Sequence, residues 1–174
     1  MCFPDRQKGG ETMIYETEIL SMKKRISELA EDAIAIRKEH WNWHLRENAP
    51  LAPRSKARLN VWVRERKGGL EISWTYFRFV KTEGSTKSKP YSTHITKGRS
   101  NQYSRKSLEA RGKPWEMDMV METEARLSQI RAEYTRVRKA LTGLKEARKL
   151  ALDRGVSIRP ETKATKTEQD EVAA

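Results

Sequence analysis

The stretch 59-LNVWVRERKGGLEISWTYFRFV-80 decides the fold. Leu59, Val61 and Val63 alternate with polar neighbours, so they share one face of an extended chain while Trp62 lies on the other. Lys67-Gly68-Gly69 is a turn signal, and after it Leu70, Ile72, Trp74, Tyr76 and Val80 alternate along a second strand with Phe77 and Phe79 opposite. Two period-two runs joined through glycine predict a β-hairpin. An isolated hairpin is only marginally stable in water, so a third short strand around Tyr91 to Ile95 is expected to complete a small antiparallel sheet.

On either side the period changes. From Glu11 to Glu47 there is neither proline nor glycine, and Ile19, Met22, Ile26, Leu29, Ala33, Ile36, His40 and Trp43 follow one another in steps of three and four. That spacing keeps one stripe of a long helix facing a partner, and Asn48, Pro50 and Pro53 end it. After the sheet, Pro114 opens a second helix whose stripe reads Val120, Thr123, Leu127, Ile130, Tyr134, Val137, Leu141 and Leu144. Arg154-Gly155 caps it, and Gly143 inside it weakens the expectation of an uninterrupted rod. The expected class is α+β: two long amphipathic helices, an antiparallel stalk, flanking a small antiparallel sheet with a basic loop. The domain runs over 13–155, with helices near 13–47 and 114–154 and a β head near 57–106. The stripes can also be satisfied by a second copy of the chain, giving a homodimer. The polar tail 156–174 reads as disordered and residues 1–12 as a flexible extension. Lys8-Gly9-Gly10-Glu11, whose codons are rich in purines, stands before Met13 at the distance of a translated ribosome-binding site, which predicts a native start at Met13.

The chain has 174 residues, enough for one domain with a modest core; 36% are hydrophobic and 34% charged. Cys2 is the only cysteine, which excludes an intrachain disulfide, and no apolar run has the length of a membrane span, so a cytoplasmic protein is expected. The net charge of +12 is concentrated: 16 basic and 4 acidic side chains fall between Arg54 and Lys113, and 20 of each outside it. So uneven a distribution points to a polyanionic partner.

The candidate nucleic-acid-binding residues are Arg64, Arg66, Lys67, Arg78, Lys87, Lys89, His94, Lys97, Gly98, Arg99, Tyr103, Arg105 and Lys106. Those from Thr96 onwards form a flexible basic loop in which Gly98 lets the backbone approach a phosphate. Lys97 and Arg105 are expected to contact phosphates, whereas a base-reading role suits Arg99. Trp62, Trp74, Tyr76, Phe77 and Phe79 fit a hydrophobic core better than a base-stacking platform, because one sheet face must pack on the helices. His40 and His44 have the spacing of paired metal ligands, with His94 or a carboxylate as a third, but a structural role at the helix–sheet junction, beside Trp41 and Trp43, is the better reading. No phosphate-binding glycine loop, nucleophile elbow or paired catalytic carboxylates stand out, so neither catalysis nor a cofactor is expected.

Trp41 to His44, Val61 to Phe79, His94-Ile95-Thr96-Lys97-Gly98-Arg99 with Tyr103, Trp115-Glu116 and Glu122-Thr123-Glu124 together resemble the MobI family of conjugative transfer proteins from bacterial mobile elements, over about residues 20 to 140. The resemblance implies an auxiliary mobilisation protein that acts on duplex DNA at the origin of transfer and helps a relaxase supplied by another chain. It adds interest to His94, Lys97, Gly98, Arg99 and Tyr103. The rival readings are a coiled-coil interaction scaffold and an RNA- or single-strand-binding module, neither with sequence-specific DNA recognition.

Overall fold

A proline- and glycine-free run with an apolar residue every three or four positions folds as a helix, and in the computed structural model of the chain it is α1, Glu16–Asn48. Residues 14–66, 68–81 and 88–154 are described; the expected extension over 1–12, the cap at 155 and the tail 156–174 lie outside them. Glu16 and Glu18 stand at the positive end of the α1 dipole. At its other end the Asn48 amide donates to His44 Nδ1 at 2.9 Å and accepts from Ala57 N–H at 2.7 Å, fastening the connection to the sheet back onto the last turn.

The sheet is antiparallel, in the order β1 (Leu59–Arg66), β2 (Gly69–Lys81), β3 (Ser88–His94). Leu59 pairs with Tyr76 and Arg66 with Gly69, so Gly68 sits in a tight turn; its φ of 68° is the left-handed conformation that favours glycine. β2 outlasts β1. Residues 78–81 pair with 88–91 alone, forming a two-stranded arm beyond the three-stranded sheet, and the connection 82–87 lies outside the described residues.

The expected alternation is realised. Leu59, Val61, Leu70, Ile72 and Trp74 are buried against Leu29, Ala33 and Ile36 of α1 and against Val120, Leu127 and Ile130 of helix α3, Met117–Asp153. A single 3₁₀ turn, Pro114–Glu116, opens α3, and the helix continues through Gly143 unbroken. The two helices meet within one chain: Glu16 pairs with Arg148, Arg25 with Glu133 and Glu39 with Arg126. The sheet lies against the second half of α1 and the first half of α3, so this part of the pair is core rather than a stalk free of the head. Past the sheet a smaller cluster of Ile19, Ile26 and Leu141 joins the helices to each other.

One element was not expected. Arg105 and Lys106, expected at the end of the flexible loop, open a short helix α2, Arg105–Glu109. Ser104 caps it by accepting from Ser107 N–H at 3.2 Å, and Leu108 anchors it in the core. Basic and serine-rich composition masks a capping signal here.

His40 is buried where α1, β1 and α3 meet. Its Nε2 donates to the Leu59 carbonyl at 3.4 Å and its Nδ1 accepts from the Thr123 hydroxyl at 3.1 Å, so both ring nitrogens are used by the neutral form. Burial pushes its pKa down to about 4, and burial lowers that of His44 as well. A histidine depressed in the folded state takes up its proton first in the unfolded chain, so stability is complete above the ordinary histidine pKa of ~6.5 and falls as pH drops towards 4. Burial raises the Glu116 carboxyl, which works in the opposite sense at the acid end of this window. Moving from pH 7 to pH 5 is therefore expected to cost about 2 kcal/mol through His40 alone. Urea unfolding at the two pH values checks this: the dependence should flatten in His40→Gln, and equal midpoints for the unmodified protein would refute it.

Candidate nucleic-acid interface

Charge along the chain and charge in space differ. Several acids of the flanks are engaged by cations of the flanks across the helix pair or within α3: Arg25 with Glu133 at 2.7 Å, Arg126 with Glu39 at 2.5 Å, Arg148 with Glu16 at 2.8 Å, and Arg131 with Glu124. The hydrogen bonds from Arg126 and Arg25 hold the carboxyls of Glu39 and Glu133 below their usual range. Among the described side chains of 54–113, Arg105 alone has an acidic partner, Glu109, at 2.6 Å. Most described cations of the middle segment are thus left available for an external anion.

The candidate residues occupy separate places. Arg64 and Arg66 are exposed on β1, on the sheet face away from α3, and Glu71 lies opposite Arg64 in the register. His94 is exposed on the same face, with its Nδ1 2.9 Å from the Ser73 hydroxyl and its ring edge-on to Trp62 at 5.9 Å. Arg78 is exposed on the arm, whose strands also contain Lys89. Lys67 and Lys87 lie outside the described residues. From Arg66, opposite Gly69, to Arg78 is nine steps along β2, roughly 30 Å at ~3.3 Å per residue. The candidates therefore span the length of the sheet instead of forming one patch.

The loop that follows β3 is held from beneath. Arg131 donates to the Asn101 carbonyl at 2.6 Å and to Glu124, and the Glu124 carboxylate also accepts from Tyr103 N–H and from the Trp74 indole, both at 2.7 Å. Glu124, Arg131 and Trp74 are all buried. This network fixes where the loop runs, and Arg99 and Gly98 are exposed on it. A Cβ at Gly98 would meet nothing within 4 Å, which leaves its backbone open to close approach. Lys97 folds back, its ammonium donating to the Ser100 carbonyl.

Two expectations need correction. Tyr103 is only 3% exposed: its ring packs in the core under the Arg131 guanidinium, and its hydroxyl faces Trp74 N–H at 3.4 Å, so it cannot act as a surface donor to phosphate or base. Arg105, expected to contact phosphate from a flexible loop, sits with Lys106 in α2 and is engaged by Glu109. The histidine pair His40 and His44 faces Thr123, Leu59 and Asn48, and no group of three or more potential metal-binding side chains occurs among the described residues.

Arg37, Lys38, Arg54, Lys56 and Arg58 were not among the candidates, because only the fold brings them beside aromatic rings. Arg37, Lys38 and Trp41 of α1 line a cleft with Asn60 and Trp62 of β1, and Arg54, Lys56 and Arg58 line another beside Phe77. Ile34, Lys38, Trp41 and Leu45, in steps of four, three and four, form a second helical stripe beside the core stripe. That was the available signal.

Among the described residues no helix is long and apolar enough to cross a membrane. No curated protein and no solved structure matches the chain. A model of the family described as MobI protein matches residues 29–145. That span takes in most of α1, the sheet, the anchored loop and most of α3, and on it the chain belongs to the MobI family of mobilisation-related proteins.

Proposed function

We propose that this protein is a non-enzymatic, DNA-binding accessory of conjugative mobilisation, acting on duplex at the origin of transfer and aiding a relaxase supplied by another chain. The observation that carries the reading is the concentration of cations in the middle segment, among whose described side chains Arg105 alone has an acidic partner. Phosphates are the natural counter-charge for such a set. The two-stranded arm bearing Arg78 has the form of the β-ribbons that enter a major groove, and the loop bearing Arg99 offers a second contact. In this reading the helices beyond the sheet form an antiparallel stalk for the protein partner. Exposed Leu20, Leu150 and Leu152 lie at the end where α1 begins and α3 closes, next to the Glu16–Arg148 pair, and supply apolar surface there.

The test is a gel-shift titration at two salt concentrations with duplex from the origin of transfer of the source element and shuffled duplex of equal length. Tight, salt-sensitive binding that prefers the origin is expected. Equal or negligible binding to both would reject the reading and leave the helix ends, as protein-docking surface, as the site of function.

A further inference from the structure

Exposed indoles are uncommon ligands for a DNA duplex, whose bases bury their faces against one another and show only their edges in the grooves. The seam between α1 and the sheet nevertheless presents two of them. Trp41 is 36% exposed and Trp62 40%, and they line opposite sides of one cleft. Trp41 continues the aromatic surface beyond that cleft: it stacks on His44, with centroids 5.2 Å apart and planes 12° from parallel, and reaches Phe77 at 6.4 Å. Phe77 and His44 then form the wall of the second cleft. From Trp62 to Arg58 the seam follows four steps of chain, roughly 13 Å at the rise of a strand, a length that covers a few successive bases.

The surroundings of these rings are cationic. Arg37 and Lys38 line the first cleft and Arg54, Lys56 and Arg58 the second; no acidic side chain lines either, and none of the five has an acidic partner among the described residues. A purely apolar peptide would leave five positive charges without a counterpart. A polynucleotide with unpaired bases answers both features, since its base faces stack on the aromatic rings and its phosphates meet the cations. We infer that the α1–β1 seam is a binding site for single-stranded DNA, separate from the arm and loop proposed for the duplex. The choice of DNA rests on the mobilisation reading above. The site suits a protein acting where strands are parted.

The test uses the full chain and fluorescence anisotropy with labelled oligothymidylate, a phosphodiester strand of equal length without bases, oligouridylate and a duplex. Oligothymidylate is expected to bind more tightly than the abasic strand. Trp41→Ala and Trp62→Ala should each weaken it about tenfold to a hundredfold while leaving duplex affinity within about twofold. Trp41→Phe and Trp62→Phe, which keep a stacking face, should retain most of the affinity, and matching thermal melts confirm that the variants fold. Equal binding of the abasic strand, or alanine variants that hold oligothymidylate as well as the unmodified protein, would overturn the site. Tighter binding of oligouridylate would overturn its assignment to DNA. Duplex binding without single-strand binding refutes this inference alone, and Trp-dependent single-strand binding without duplex binding upholds it while the duplex reading fails.

Discussion

Glu124→Ala is expected to lower the stability of the protein by about 3 to 5 kcal/mol, the range for removing one partner of a buried ion pair. The carboxylate is fully buried and accepts from the Trp74 indole, from Tyr103 N–H and from Arg131. Without it, three donors lose their acceptor inside the core, and the Arg131 guanidinium keeps its charge with only the Asn101 carbonyl and the face of the Tyr103 ring to meet it. Stranding a buried charge costs more than the pair contributes, so Glu124→Leu combined with Arg131→Leu should be less destabilised than Glu124→Ala alone. A small domain has only ~5 to 15 kcal/mol in total, so the single variant should lie close to unfolding at physiological temperature. Urea unfolding of the single and double variants measures the difference. A loss below about 1 kcal/mol for Glu124→Ala would mean that the network is not what holds the loop to α3.

The second large effect concerns DNA. Replacing Arg64, Arg66 and Arg99 together by alanine removes three exposed cations that have no acidic partner among the described residues, at no expected cost beyond ~0.5 kcal/mol of stability each. Each phosphate contact releases about 0.9 counterion from duplex DNA, so the slope of log affinity against log salt should fall by roughly 2.7 units. At about 0.1 M salt that corresponds to a loss of roughly 500-fold in affinity for any duplex. Arg105→Ala is the internal comparison. Because Glu109 already engages Arg105, its loss should change the slope far less than removal of an unpaired arginine. A slope that stays constant in the triple variant would remove these three residues from the interface, and a large effect of Arg105→Ala would show that the Glu109 pair opens on binding.

Much of the architecture could be read from spacing. Alternation at Leu59, Val61 and Val63 and from Leu70 to Tyr76, the glycines of the hairpin turn, the stripes of three and four, and the prolines after Asn48 are all local patterns, and β1, β2, α1 and α3 follow them to within a few residues. The helix α2 escaped notice although its signal was equally local, a capping serine before Leu108. Of the candidate interface, the basic segment was legible and its geometry was not. Tyr103 looked like a loop donor because nothing within ten residues of it announces Glu124 and Arg131, which bury it. Arg37 and Lys38 belonged to a flank that is neutral when counted along the chain.

By itself the sequence determined the elements, the inward faces of the strands and helices, and a basic middle segment, because backbone geometry and hydrophobic periodicity act over a few residues. Only the tertiary structure decided which charges are spent on each other. Glu39 meets Arg126 and Arg25 meets Glu133 across the helix pair, while Arg37 and Lys38 are brought beside Trp62 and Arg64 and Arg66 are left facing solvent. Coulomb energy and burial depend on distance through space, and that distance exists only once the chain has folded.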